Sequence, residues 1–537
     1  MPIYPQAERD TRVREYLPPT RLVLVQNVQH PEHLLSSAPV LQSSLSIPQS
    51  AQSILAPGGA LLLDFGKELH GGVRLVTDRT AGRIRLRFGE SVSEAMGNPN
   101  QDHSIHDETL LLPTLGALEY GCTGFRFVRV DNVGDSELIL IGVTAVALYR
   151  DLPRAGHFRC SDERLNRIWE TAAYTVQLCM QDYLYDGVKR DRLVWLGDMH
   201  PESRVILSLF DDCSILPKSM DFVQMATPLP KYMNTMLTYS CWWIINQQEY
   251  FLHKGDLGYL ETKRAYLNEL TRHFAAMVDE SGELHPNGHP LFLDWPTSVD
   301  KQAEAAGAQG LFLWMFQAAA DLAKALGDSE LAELAAAAAR RVRRNVPECG
   351  SCKSAAALQT ITGLADRHNV LITHPTEGVS TFYGYYMLLA QPVPSALEVI
   401  RKYWGAMLDF GATTFWEDFN LDWTRNAGPI DQLPDPRLDD LHADFGAFCY
   451  KGLRHSLCHG WAGGPAAYLP EKVLGIRVTE PGSRAISFQP NLGDLEYAEG
   501  SFPTPQGAIH VRLEKGVEPD ITLPPGVHIQ NDGQPCA

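Results

Sequence analysis

The apolar period of this chain changes twice, and the two changes limit it to a sheet–helix–sheet order. Between about 60 and 150 the runs "ALLLDFGKEL", "GGVRLVTD", "GRIRLRFGE", "FRFVRVDNV" and "LILIGVTAVALYR" are short, alternating or wholly apolar, and separated by Gly and Asp. Such runs make antiparallel strands, and this many predict a β-sandwich. Near residue 160 the period becomes helical. "SDERLNRIWETAAYTVQLCMQD" sets Leu165, Ile168, Trp169, Ala172, Ala173, Val176 and Cys179 on one stripe, with Ser161 or Asp162 able to cap it. Later helix pairs turn at Gly327-Asp328-Ser329 and at Pro392 to Pro394, without a fixed repeat length. A regular solenoid would keep a period, so unequal hairpins predict a closed helical barrel. After 475, "AISFQP" and "GAIHVRLE" return to strands. The expected domains are 1–155, an N-terminal arm and β-sandwich; 156–474, the barrel; and 475–537, a small C-terminal β-domain. Residues 1–55, rich in Pro, Gln and Ser, read as an arm or an irregular β-region.

Composition removes several function classes. A net charge of −18 argues against general binding to nucleic acid or to an anionic membrane, both of which need a basic face. The opening "MPIYPQAERDTRVREYLPP" has no basic region followed by an apolar stretch, and no run approaches the ~20 apolar residues that span a bilayer. Ten scattered cysteines read as reduced thiols, so the cytoplasm is the expected location. Cys349 and Cys352 form a lone C-x-x-C without further ligands or a βαβ setting, and neither metal nor cofactor is expected.

The chemistry concentrates in "YDGVKRDRLVWLGD", residues 185–198, which gathers Asp186, Asp191 and Asp198 with Arg190, Arg192 and Trp195. Similar mixtures recur in "HKGDLGYL" (Asp256), "LFLDWP" (Asp294, Trp295), "HPTEGVSTFYGYY" (Glu377), "GATTFWEDFNLDW" (Trp416, Glu417, Trp423) and "SLCHGWAGGP" (His459, Trp461). Singly, each has a structural explanation as a turn, a cap or an ion pair. Together they suit a sugar, whose hydroxyls donate to carboxylates while Trp and Tyr cover its C–H face. Cleaving a glycosidic bond also needs two carboxyl groups in different protonation states. No G-x-S-x-G elbow, P-loop or H-E-x-x-H motif is present. "GKELHGG" reads as a turn between strands. His455 and His459 have metal-like spacing, but Gly460 and "AGGP" end any helix there, leaving His459 a packing or sugar-contact role.

These residues make the chain resemble the bacterial α-L-rhamnosidases of glycoside hydrolase family 78 over roughly residues 60–510. The resemblance implies an (α/α)6 helical barrel flanked by an N-terminal β-sandwich and a small C-terminal β-domain, and hydrolysis of terminal α-L-rhamnosides with inversion. The family's acid-rich loop, D-x4-E-x6-D around R-x-x-W-x-G-D, matches at Asp186, Asp191 and Asp198, with Arg190, Trp195 and Gly197 in place. The departure is Asp191, where the family has a Glu proton donor. One methylene shorter, it requires a closer scissile oxygen or an inward-leaning loop. "GATTFWE" implies Glu417 as general base, with Trp416 beside it and Asp418 pointing elsewhere; "HGWAGGP" resembles the family's H-x-W-x-x-x-P run and implies His459. Asp191 is then the general acid. Asp186, Arg190, Trp195, Asp198 and Trp295 become sugar contacts, with Trp242, Trp243 and Asp256 as further candidates. Arg190 and Arg192 are expected to face acids other than Asp191, since a cation beside it would hold its pKa down. The implied partner is a rhamnose-containing glycoside or oligosaccharide, small enough for import, and a homodimer is compatible with the chain's size. Rival readings are another inverting activity on the same barrel, such as an α-L-fucosidase or a uronide-linked rhamnosidase; a non-catalytic carbohydrate-binding relative; and a protein-binding helical scaffold.

Overall fold

A computed structural model of the chain describes residues 9–46, 52–98 and 106–530, so parts of the N-terminal arm and the last seven positions lie outside the described residues. The chain divides into two compact units, one of Met1–Asp151, Gln177–Leu193 and Ala406–His459, the other of Leu152–Val176, Val194–Gly405 and Gly460–Ala537.

The first unit is built on a seven-stranded sheet of β1 (Val13–Leu17), β2 (Arg21–Gln29), β3 (Ser53–Thr77), β4 (Gly82–Gly89), β5 (Asp107–Leu112), β6 (Ala117–Asn132) and β7 (Leu138–Tyr149). Its order is β1-β7-β3-β6-β4-β5, with β2 on β3. Period two sorts neighbouring side chains between two apolar clusters. Leu61 and Leu63 enter the larger with Leu75, Leu86, Val128 and Leu140, while Leu62 packs oppositely with Phe127, Val92 and Ala95. The described part of the expected arm supplies β1 and β2, paired with β7 and β3. "GKELHGG" is also not a turn. It lies inside the 25-residue β3, which shifts register between Asp64 and Leu69 and then continues. The shift is stabilised locally: Asp64 Oδ1 accepts from Gly66 N at 2.7 Å, with Gly66 at φ 86°. At Gly71 (φ 140°) a Cβ would lie 2.0 Å from Val146 O, so the pairing with β7 requires glycine there.

In the second unit every member of the predicted stripe on helix Glu163–Cys179 that belongs to it is buried, Leu165 through Val176. Asp162 caps it, its Oδ1 accepting from the N–H groups of Arg164 (2.8 Å) and Leu165 (3.3 Å). Helices follow at Met199–Leu209, Ile215–Ala226, Leu237–Lys254, Leu257–Ala275, Lys301–Ala325, Ser329–Val342 and Lys353–Ile361, then shorter ones at Gly384–Leu389 and Val393–Val399. The turn at Gly327–Ser329 is where the sequence put it. Gly327 takes φ 70°, and Asp328 caps the next helix through Leu331 N. Among the described residues no strand lies between 161 and 426. His157–Cys160 pairs with Tyr497–Thr504 in a four-stranded sheet, and Ile476–Val478 opens a three-stranded one.

Candidate active site

Two backbone segments of the first unit bring the predicted chemistry together. The acid loop is pinned to the middle of β6. Gly124 N donates to Val188 O at 2.7 Å, Thr123 Oγ1 donates to Lys189 O at 3.3 Å, and His106 Nε2 lies 3.0 Å from that same oxygen. A Cβ on Gly124 would come within 2.6 Å of Val188, so the approach is open only to glycine. The loop closes on itself through Asp186, whose N–H donates to Leu193 O at 3.1 Å and whose Oδ1 accepts from Leu193 N at 2.9 Å. Inside it Asp191 (φ 54°) and Arg192 (φ 55°) are both left-handed. That region costs most L-residues about 1–2 kcal/mol, and Asp tolerates it better than most. Two strained residues in succession mark a loop held by its surroundings.

The second segment, 414–418, runs beside 455–459. Thr414 Oγ1 donates to Leu457 O at 2.8 Å, Glu417 N to Ser456 O at 2.9 Å, and His459 N to Phe415 O at 3.0 Å. This pairing fixes Glu417, whose Oε2 accepts from Ser456 N at 3.1 Å. Asp418 is occupied locally: its N–H donates to His455 Nε2 at 2.8 Å and its Oδ1 accepts from Phe419 N at 2.9 Å. Gly187 and His459 form an antiparallel bridge that joins the two segments.

Where they meet, Arg190 Nη2 donates to Glu417 Oε1, and Nη1 lies 3.2 Å from Asp191 Oδ2. The expectation that Arg190 would turn away from Asp191 is therefore corrected. One guanidinium has two forks, and the buried Glu417 takes one while the neighbouring Asp191 lies within reach of the other. Arg192 does turn away, donating to Cys122 O. His459 Nε2 lies 3.6 Å from Asp186 Oδ2 and 3.8 Å from Glu417 Oε1. The three carboxyls differ in solvation: the side chains of Asp186 and Glu417 are each 4% exposed and that of Asp191 is 34% exposed.

Burial dominates the electrostatics. It pushes Asp186 up to about 8, with Asp191's charge adding to the rise and the Leu193 N–H and Arg190 opposing it. Asp186 is thus protonated at neutral pH. Burial pushes His459 down to about 4, against the pull of Glu417, so the imidazole is neutral. Burial also works against the charge of Arg190, but Glu417 and Asp191 outweigh it and its pKa rises.

The remaining candidates separate. Trp416 is fully buried beside Phe419, at 5.5 Å between ring centroids, and its indole nitrogen has no hydrogen-bond partner among the described residues. In the second unit Trp195 and Trp295, both partly exposed, belong to one aromatic run. Trp195 meets Tyr239 edge-on at 6.0 Å, Tyr239 meets Phe292 at 6.1 Å, and Phe292 meets Trp295 at 5.1 Å. Tyr239 also donates its hydroxyl to Asp198 Oδ1 at 3.0 Å. The sequence reading missed Tyr239 and Phe292, although Phe292 stands within "LFLDWP" itself. Asp294 turns inward, accepting from Thr297 N, Ser354 Oγ and Ser380 Oγ.

Two candidates are corrected. Trp243 has no exposed surface and packs on Tyr266, because its face of helix Leu237–Lys254 is core. Asp256 caps helix Leu257–Ala275 through Tyr259 N at 2.9 Å, an ordinary reason for an Asp after glycine.

The chain is similar to known proteins over most of its length. Residues 153–348 match the bacterial alpha-L-rhamnosidase six-hairpin glycosidase domain, and residues 475–530 match the bacterial alpha-L-rhamnosidase C-terminal domain. An alpha-L-rhamnosidase of Alteromonas sp. (strain LOR) is 22% identical, over 86% of this chain and 55% of its own length. The GH78 family rhamnosidase of Bacillus sp. GL1 superposes with a TM-score of 0.71 at 21% identity, over 92% of this chain and 56% of that one. A rhamnosidase from Klebsiella oxytoca with rhamnose bound gives 0.63 at 20% identity, over 86% and 96%. This chain therefore spans little more than half of the first two relatives. The six-hairpin fold, with a sheet domain before it and a small one after it, is the fold of these structures, and the resemblance to family 78 holds.

Proposed function

We propose, from the premise that this chain carries the six-hairpin and C-terminal domains of the bacterial α-L-rhamnosidases, that it releases L-rhamnose from terminal α-L-rhamnosides with inversion. The observation that carries this reading is the guanidinium of Arg190 set between Glu417 and Asp191. The two carboxyls it spans differ in burial. Glu417 is buried, with the Arg190 guanidinium on one oxygen and the Ser456 N–H on the other, which fixes its carboxyl in place. Asp191 is partly open to solvent and lies against the other amino group of the same cation.

Asp191 gives its proton to the glycosidic oxygen as the bond from that oxygen to the anomeric carbon breaks. Glu417 takes a proton from water as the water oxygen bonds to the opposite face of that carbon. The products are β-L-rhamnose and the free alcohol of the aglycone. Neutral Asp186 can donate a hydrogen bond to a sugar oxygen, and the neutral His459 imidazole lies beside it. The family resemblance further assigns sugar contacts to Asp198, Trp195 and Trp295. Turnover of p-nitrophenyl α-L-rhamnopyranoside, beside the matching α-L-fucoside, tests the reading. Turnover of the fucoside alone would reassign the substrate, and binding of rhamnose without turnover of either would make the chain a carbohydrate-binding relative.

A further inference from the structure

Behind the acid loop, in the same compact unit, lies a buried charged cluster that the mechanism above does not use. Lys189, the residue before Arg190, has its ammonium 3.2 Å from Glu90 Oε2 and 3.2 Å from Glu94 Oε1, with all three side chains almost wholly enclosed. The same nitrogen donates to Leu453 O at 2.9 Å and to His455 O, and lies 3.4 Å from His442 Nε2. Glu90 reaches the same stretch of chain: its Oε1 accepts from Ser456 Oγ at 3.2 Å and its Oε2 from Leu457 N at 2.5 Å. Glu90, Glu94 and His442 offer atoms within 4.8 Å of one another, as metal ligands would, but here the Lys189 ammonium supplies the cation.

We propose that Lys189 and Glu90 are positioning residues for the general base, setting where Ser456 N–H and Arg190 present themselves to Glu417; this rests on the reading of Glu417 as base. Between them they hold Leu453 O, His455 O, Ser456 Oγ and Leu457 N, four groups of the segment whose Ser456 N–H bonds Glu417 Oε2. They also hold the acid loop at the residue preceding the arginine that grips Glu417 Oε1. Both oxygens of the base are thus set through one ion pair, whose carboxylate comes from the end of the N-terminal sheet. An ion pair this deep contributes little net stability compared with apolar packing, but its directional bonds fix a register that apolar contacts would leave loose. Misplacing a reacting group by about 1 Å costs on the order of 10²-fold in rate.

The test compares the full chain with Glu90→Gln, Lys189→Met, the double variant and Ser456→Ala, reading kcat, KM, affinity for L-rhamnose and melting temperature. Each of the first two should lose about 10²-fold in kcat with KM and rhamnose affinity within about threefold of wild type. The double variant should lose no more than the worse single one, because both act on one geometry. Ser456→Ala, which keeps the N–H to Glu417 and removes one tether, should lose about tenfold. Lys189→Arg, which retains the charge, should recover part of the Lys189→Met loss. Wild-type kcat in the folded variants, losses that multiply in the double variant, or losses confined to KM would overturn the proposal. Should Glu90→Gln fail to fold, unchanged kcat in Ser456→Ala and Lys189→Met overturns it equally. A wild-type chain that binds rhamnose without hydrolysing rhamnosides overturns the hydrolase reading, and this inference with it; an active wild type with unaffected variants overturns this inference alone.

Discussion

Arg190 and Glu417 lie 227 positions apart in the chain and form an ion pair with side chains 7% and 4% exposed. A pair so enclosed persists only when both groups are otherwise satisfied. Arg190 Nε donates to Arg454 O at 3.0 Å, and Glu417 Oε2 accepts from Ser456 N. Removing the charge of Glu417 should therefore be felt in both rate and stability. Glu417→Gln should lower kcat by about 10²–10⁴-fold, the usual contribution of a positioned base. It should destabilise by less than the roughly 3–5 kcal/mol of a fully broken buried pair, because the Gln carbonyl can still accept from Arg190. Steady-state kinetics and urea unfolding check the two halves; wild-type kcat in Glu417→Gln would end its assignment as base.

Asp191 joins strain to function. At φ 54° it occupies a conformation that glycine adopts freely. Asp191→Gly should leave stability unchanged or raise it by up to about 1 kcal/mol while removing the proton donor. Asp191→Asn should separate leaving groups. Alkyl rhamnosides, whose alkoxide cannot depart unprotonated, should slow by about 10²–10⁴-fold, and p-nitrophenyl rhamnoside much less. Equal losses on both would show that another group donates the proton.

The periods of the sequence revealed the elements, because burial of one face imposes them. Leu165 through Val176 on the first helix and Leu61 to Leu63 on β3 could be assigned from spacing alone. The long bend of β3 was not legible, since "GKELHGG" carries turn residues and only the pairing with β6 and β7 keeps it a strand. At the site, the residue types in 185–198 and 414–418 announced carboxylate chemistry. Their partners did not: the fork of Arg190 between Asp191 and Glu417, and the tie from Glu90 to Ser456, join positions hundreds of residues apart that no local pattern links. Trp243 shows the opposite error, for an aromatic at helical spacing reads the same in a pocket and in a core.

Asp198 accepts the Tyr239 hydroxyl and is otherwise proposed to accept from the sugar. Asn in its place keeps the shape and loses a charged acceptor, a change of about 1.5–3 kcal/mol per bond. On a rhamnoside, kcat/KM should fall by about 10- to 100-fold, most of it in KM if the contact is equal in ground and transition states. Unaltered kcat/KM would remove Asp198 from the set of sugar contacts.

Asp186 gives the pH dependence its sign. Its folded pKa of about 8 lies above the ordinary value of 3.8, so the folded state binds the proton more tightly than the unfolded state. The stability this provides is complete below about 3.8 and is lost as pH rises through about 8. Asp186→Asn fixes the neutral form at every pH. Between about pH 6 and 9 the wild-type melting temperature should fall and that of Asp186→Asn should stay nearly level. Parallel slopes would show that Asp186 is ionised throughout.

The stereochemical outcome tests the whole assignment. An inverting site keeps its carboxyls roughly 6.5–9.5 Å apart so that water fits between the base and the anomeric carbon, whereas a retaining site holds them nearer 5–5.5 Å. Arg190 engages Glu417 through one amino group and faces Asp191 with the other, so the two carboxyls share one cation. With Glu417 acting as base on water, the water adds opposite to the departing oxygen, and an α-linked substrate should give β-L-rhamnose first. Proton NMR in the opening minutes of turnover reads the anomeric signal before mutarotation mixes it. Early accumulation of the α-anomer would mean a covalent intermediate on Glu417, making that residue a nucleophile and ending its assignment as the base that activates water.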